Sequence, residues 1–180
     1  QHLDTEAKAG RTIDFAGLDA LPAGLDEVYA ANFHRAFPKG ADDAAWTAAR
    51  PLIELIAAAM EPITQAMAAA LLGWDAAQQE RVREATALLF PVRDGKFHVF
   101  HKTVVDWLTG EITADSSLKS RSNDFRVERR NGHATLAKGF DAWLGGPRSG
   151  AASSTDDGTS DDAIAAYWLQ HGIVHMCRAQ

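Results

Sequence analysis

A chain of 180 residues, 46% hydrophobic and 23% charged, carries enough apolar material for a packed core and too much for a disordered tail. Its longest apolar run, residues 66–72, is far short of a bilayer span, and a net charge of −6 argues against nucleic acid as the main partner. The single cysteine, Cys177, excludes an intrachain disulfide, and 34 alanines favour helices that approach closely.

Residues 1–20 are weakly patterned, and Pro22 and Gly24 break the chain before a helical face of Leu25, Val28, Tyr29, Phe33 and Phe37. Pro38-Lys39-Gly40 ends that helix. Asp42 or Asp43 caps a second helix reaching Met60, with Leu52, Leu55, Ile56 and Ala59 as its buried stripe and a kink or split at Pro51. Thr64 caps a short helix to Leu72, closed by Gly73 in the left-handed conformation. Asp75 and Gln78 form a capping box for a further helix that turns Val82, Ala85, Leu88 and Leu89 inward.

The period then changes from helix to strand. Residues 89–93 and 96–100 flank Asp94-Gly95, the pair that suits a positive-φ hairpin turn, and Phe97 and Val99 alternate with Lys96, His98 and Phe100. Pro91 suits the start of an edge strand, and His98 falls on the solvent side. A helix from Thr103 to Leu108 follows, stopped by Gly110. Beyond a polar stretch holding Phe125 and Val127 as an extended pair, Gly132-His133 opens a helix with Leu136, Phe140, Trp143 and Leu144 inward. Asp161 or Asp162 caps a last helix to Arg178 with Ile164, Tyr167, Trp168, Ile173 and Val174 as its apolar residues.

The expected fold class is therefore mainly α with a small β-hairpin. Residues 1–48 form a helical lead-in, 49–110 a winged helix with 64–89 as its helix-turn-helix, 111–144 a connector and helix, 145–161 a flexible linker and 162–180 a final helix. A small helical bundle with an incidental hairpin is the alternative.

Several residues invite chemical readings. His171 and His175 are spaced i,i+4, with Cys177 nearby, a pattern that can bind zinc; no second ligand cluster accompanies it, and Gly172 weakens the helix between them, so a packing face is the preferred reading and no metal is expected. Glu54, Glu61, Asp94 and Asp106 read as solvated carboxylates, and His133 has no evident catalytic partner. Residues 117–148 carry a net charge of +4 through Lys119, Arg121, Arg126, Arg129, Arg130, Lys138 and Arg148, against −10 for the remainder. Such an island reads first as a solvated connector; the alternatives are that it meets phosphate, an acidic partner or the acidic remainder of its own chain. A helix over residues 75–89 reading DNA would need cations; Asp75, Glu80 and Glu84 outweigh Arg81 and Arg83.

Residues 88–95 (LLFPVRDG) followed by 97–108 (FHVFHKTVVDWL) resemble the winged-helix arm that follows the nucleotide-binding core in NACHT-type STAND NTPases, which are multidomain signalling ATPases. The resemblance extends to residues 21–29 (LPAGLDEVY) with Phe33, to residues 50–63, to residues 132–137 (GHATLA), and to Tyr167-Trp168-Leu169 with His171 and His175. It implies a non-catalytic regulatory segment that clamps a closed, nucleotide-bound state and relays to downstream ankyrin, WD40 or TPR repeats. It implies that His101, where the wing passes into the next helix, senses ADP held by the adjacent NTPase domain. The related triad reads Met-His-Asp, against Phe100-His101-Lys102 here, so the third position departs from the pattern. Apart from the resemblance, His101 also reads as a simple cap of the helix after it.

The chain begins at Gln1 without a charged and apolar leader, and it carries neither G-x-x-x-x-G-K-S/T nor G-x-G-x-x-G. A piece of a longer cytoplasmic polypeptide is expected, with ADP or ATP bound by the parent protein and no cofactor in this segment. Two other functions stay open: a winged-helix DNA-binding module, and a scaffold subunit that uses the winged helix as a packing surface.

Overall fold

The computed structural model describes residues 25–111, 123–146 and 158–180. The fold is mainly α with one small antiparallel hairpin. Its elements in chain order are α1 (Leu25–Ala36), a 3-10 turn (Gly40–Asp42), α2 (Ala44–Ala58), α3 (Gln65–Leu72), α4 (Ala76–Thr86), β1 (Val92–Arg93), β2 (Lys96–Phe97), α5 (Lys102–Thr109), α6 (Arg129–Gly145) and α7 (Gly158–Arg178). The expected Pro22–Gly24 break, the Lys119 and Arg121 end of the basic stretch and most of the 145–161 linker lie outside the described residues.

Local chemistry sets most of the boundaries. Asp43 Oδ1 accepts from the Ala45 N–H at 2.9 Å and starts α2. Thr64 Oγ1 accepts from the Met67 N–H at 3.0 Å and starts α3, which Gly73 ends at φ 65°. The Asp75–Gln78 box is formed in both directions, at 2.7 and 3.1 Å. Asp94 and Gly95 both take positive φ, 49° and 71°, as a two-residue hairpin turn requires.

Several expectations need correction. α2 ends at Ala58, short of Met60, and runs unbroken through Pro51, which is exposed, so water can reach the carbonyl that lacks a proline N–H donor. α4 stops at Thr86, so the helical phase does not reach Leu88, which points outward while Leu89 is buried. Leu144 and Ile173 are exposed as well. His98 is half-buried rather than solvent-facing. α7 starts at Gly158, ahead of the expected cap at Asp161 or Asp162.

The core is continuous from α1 to α7. At one end Phe33, Phe37, Trp46 and Phe125 form a cluster of tilted and edge-on rings with centroids 5.1–6.2 Å apart, and Trp107 of α5 joins it 5.2 Å from Phe33. Asn123 holds the returning chain there: its Nδ2 donates to the Trp107 carbonyl at 3.1 Å and its Oδ1 accepts from the Phe125 N–H at 2.9 Å. At the other end α6 crosses α2 at Gly132, and α7 crosses α6 where Gly172 meets the Phe140 ring. The hairpin is tied to the helices by residues 63–65: Phe97 donates its N–H to the Ile63 carbonyl at 2.9 Å, Gln65 donates to the Gly95 carbonyl at 2.9 Å, and Thr64 bridges Lys96.

Candidate functional site

His101 is the N-cap of α5 and is exposed. Its Nδ1 accepts from the Thr103 N–H at 3.3 Å and lies 2.8 Å from Thr103 Oγ1. Thr103 Oγ1 in turn meets the Tyr29 hydroxyl, so α1 supports the cap from behind. A ring nitrogen that accepts a backbone N–H carries no proton. The neutral ring therefore holds its proton on Nε2, and the outward edge of His101 is a hydrogen-bond donor at the start of a helix. Lys102 is exposed beside it.

The described arginines of the basic stretch are turned toward their own chain. Arg126 lies 3.7 Å from Glu128, and Arg129 pairs with Glu111 at 3.1 Å. Arg130 donates to the backbone carbonyls of Ala179 and Gln180.

His171, His175 and Cys177 do not converge on one point. His171 Nε2 is 3.1 Å from Glu61 Oε1, Cys177 is exposed, and His175 is fully buried. Among the described residues, no group of three or more His, Cys, Asp or Glu side chains is placed to hold a metal ion.

A different arrangement takes their place. His175 Nδ1 faces His133 Nδ1 at 2.9 Å, from α7 to α6, and His175 Nε2 lies 2.9 Å from the Tyr167 hydroxyl. Both histidines and the tyrosine are buried. The Met60 N–H reaches the Tyr167 oxygen at 3.4 Å. One order of protons gives each of these hydrogen bonds one donor and one acceptor: Met60 N–H to Tyr167, Tyr167 O–H to His175 Nε2, and His175 Nδ1–H to His133 Nδ1. The reverse order leaves the Tyr167 proton without an acceptor.

Burial pushes the His175 imidazole down to about 4, and His133, His171 and Arg178 act in the same direction. Burial also lowers His133, helped by Arg178 and Arg129. Burial pushes the Tyr167 phenol up to about 12 against the opposing Met60 N–H, with Glu61 adding to the rise. At neutral pH the whole chain of groups is uncharged.

Glu54 departs from its expected place on a solvated face. It is buried, and its Oε1 accepts from Arg50 Nε at 3.2 Å and from Asn131 Nδ2 at 3.0 Å. Two shallow cavities of about 150 and 270 Å³ flank the Glu61-Pro62-Ile63 turn, the smaller reaching Tyr167 and Lys96 and the larger His98. No helix among the described residues is long and apolar enough to cross a membrane.

No family model, no curated protein and no solved structure matches this chain.

Proposed function

We propose that this chain is the non-catalytic regulatory arm of a NACHT-like STAND NTPase. It clamps the closed state of an adjacent, ADP- or ATP-binding domain in a cytoplasmic polypeptide and relays its release toward downstream repeats. The observation that carries the reading is the His101 cap: an exposed imidazole, fixed by Thr103 and Tyr29, with its Nε2–H edge outward. That edge suits a phosphate oxygen. The element order supports the same reading. A helix, the extended Thr64 bridged to Lys96 of the second strand, two helices, a hairpin and a closing helix follow the order expected of a winged helix.

The test uses a polypeptide that joins this chain to its NTPase domain. His101→Ser keeps a helix cap but cannot reach a phosphate. Loss of a hydrogen bond to a charged group speeds ADP release by roughly tenfold or more. An unchanged release rate overturns the sensor role, and ATP turnover by the 180-residue chain alone overturns the non-catalytic reading.

A packing role for the winged-helix unit is favoured by one observation, the exposure of Leu88 and Phe100. It predicts that serine at both positions weakens association with neighbouring domains while His101→Ser changes nothing. DNA binding draws little support from α4, where Arg83 pairs with Glu80 and Arg81 folds back on the Ala77 carbonyl.

A further inference from the structure

We propose that the His133–His175 pair is an acid-released latch that holds α7 against α6 while both imidazoles are neutral. The geometry leaves room for one proton between two nitrogens 2.9 Å apart. A proton added to His133 Nδ1 faces the His175 N–H. A proton added to His175 Nε2 faces the Tyr167 O–H. The first event sets two N–H donors face to face; the second turns the Tyr167 hydroxyl so that its oxygen accepts and its proton loses its acceptor, in both cases at a buried position.

The surroundings do not compensate a positive charge. On α6 the nearby ionisable groups are His133 itself and Arg129, whose guanidinium pairs with Glu111. On α7 they are Tyr167, His171 and Arg178. On α2, which packs on α6 at Gly132, the Glu54 carboxylate is taken by Arg50 and Asn131. In the turn after α2, Glu61 Oε1 lies 3.1 Å from His171 Nε2. The buried pair thus loosens in acid at the seam between α6 and α7.

Beside the pair, Arg130 of α6 donates to the Ala179 and Gln180 carbonyls just beyond α7, at the exposed end of the seam. Gly172 lets α7 approach the Phe140 ring, and Trp168 packs 6.1 Å from Phe140. Release exposes Tyr167, Trp168 and His175, all buried in the closed form. The latch concerns the α7 end of the molecule and does not depend on the His101 reading.

Amide hydrogen exchange of the 180-residue chain, corrected for the intrinsic effect of pH, tests the latch. With His175 titrating at about 4 when closed and 6.5 when open, opening of α7 rises roughly fifty-fold between pH 7 and pH 4.5. α2 keeps its protection over the same range. Unchanged α7 protection, or an equal loss in α2 and α7, overturns the proposal. The Tyr167→Phe/His133→Phe/His175→Phe chain, apolar at all three positions, is expected to keep α7 protected at pH 4.5; a loss equal to that of the unaltered chain overturns the latch. Should that variant not fold, imidazole nitrogen spectra of the unaltered chain decide. At pH 7 they should show His175 protonated on Nδ1 and His133 on Nε2, and a charged ring or the same tautomer in both overturns it.

Discussion

A Cβ on Gly132 of α6 would lie 2.0 Å from the Glu54 carbonyl oxygen of α2 and 2.7 Å from the Ala58 side chain. The first contact is with backbone, which cannot rotate away. Gly132→Ala must therefore separate the two helices, at a cost of about 3 kcal/mol. A urea titration reads this as a lower midpoint; an unchanged midpoint would mean the helices do not cross there.

Gly172 presents a softer case. Its Cβ would meet the Phe140 ring at 2.4 Å, and a ring can shift where backbone cannot. Gly172→Ala should cost about 1–2 kcal/mol, and Phe140→Leu in the same chain should recover part of it. Additive losses in the double-mutant cycle would count against the contact.

Stability should fall on both sides of a neutral plateau. His175 has a folded value near 4 against 6.5, so the unfolded chain binds more protons between them. Its contribution is present above pH 6.5 and is lost as pH falls toward 4, by about 2–3 kcal/mol; His133 shifts in the same direction. Tyr167 is raised from 10 to about 12, so the folded chain binds more protons in that window, and its contribution is lost as pH rises through it. Thermal melts from pH 4 to 11 check both flanks (a single optimum without a plateau between roughly 6.5 and 10 contradicts the assignment).

In the hairpin turn, Gly95 sits at φ 71° with open space around it. Gly95→Ala is therefore strained in backbone and free of clashes, and should cost about 1 kcal/mol. Asp94→Asn should be close to neutral, because asparagine adopts the same region. Equal losses from the two changes would point to a role for the Asp94 carboxylate instead.

The parts of this fold that are legible in sequence are those written in neighbouring residues. Asp43, Thr64, the Asp75–Gln78 box, Gly73 and Asp94-Gly95 each satisfy backbone groups within a few positions, so spacing alone reveals them. Leu88 misleads because the helical period says nothing about where a helix stops, and α4 ends at Thr86. The buried histidines mislead differently. The i,i+4 spacing draws His171 and His175 together, yet His175 finds its partner 42 positions away on another helix. One-dimensional signals of that crossing do exist: a glycine inside α6 next to His133, and a glycine inside α7 three residues before His175. Glycine within a helix weakens it unless another chain must come close, as happens at both positions here.

The pairing of residues 63–65 with β2 also limits what other molecules can add to this sheet. With Ile63 and Gln65 hydrogen-bonded to one side of the hairpin, the outer side of β1 is its other margin among the described residues. That margin is two residues long, begins beside Pro91 and ends in the exposed charge of Arg93. It is a poor template for an extended segment from a second chain, so the hairpin is protected against intermolecular strand addition and aggregation.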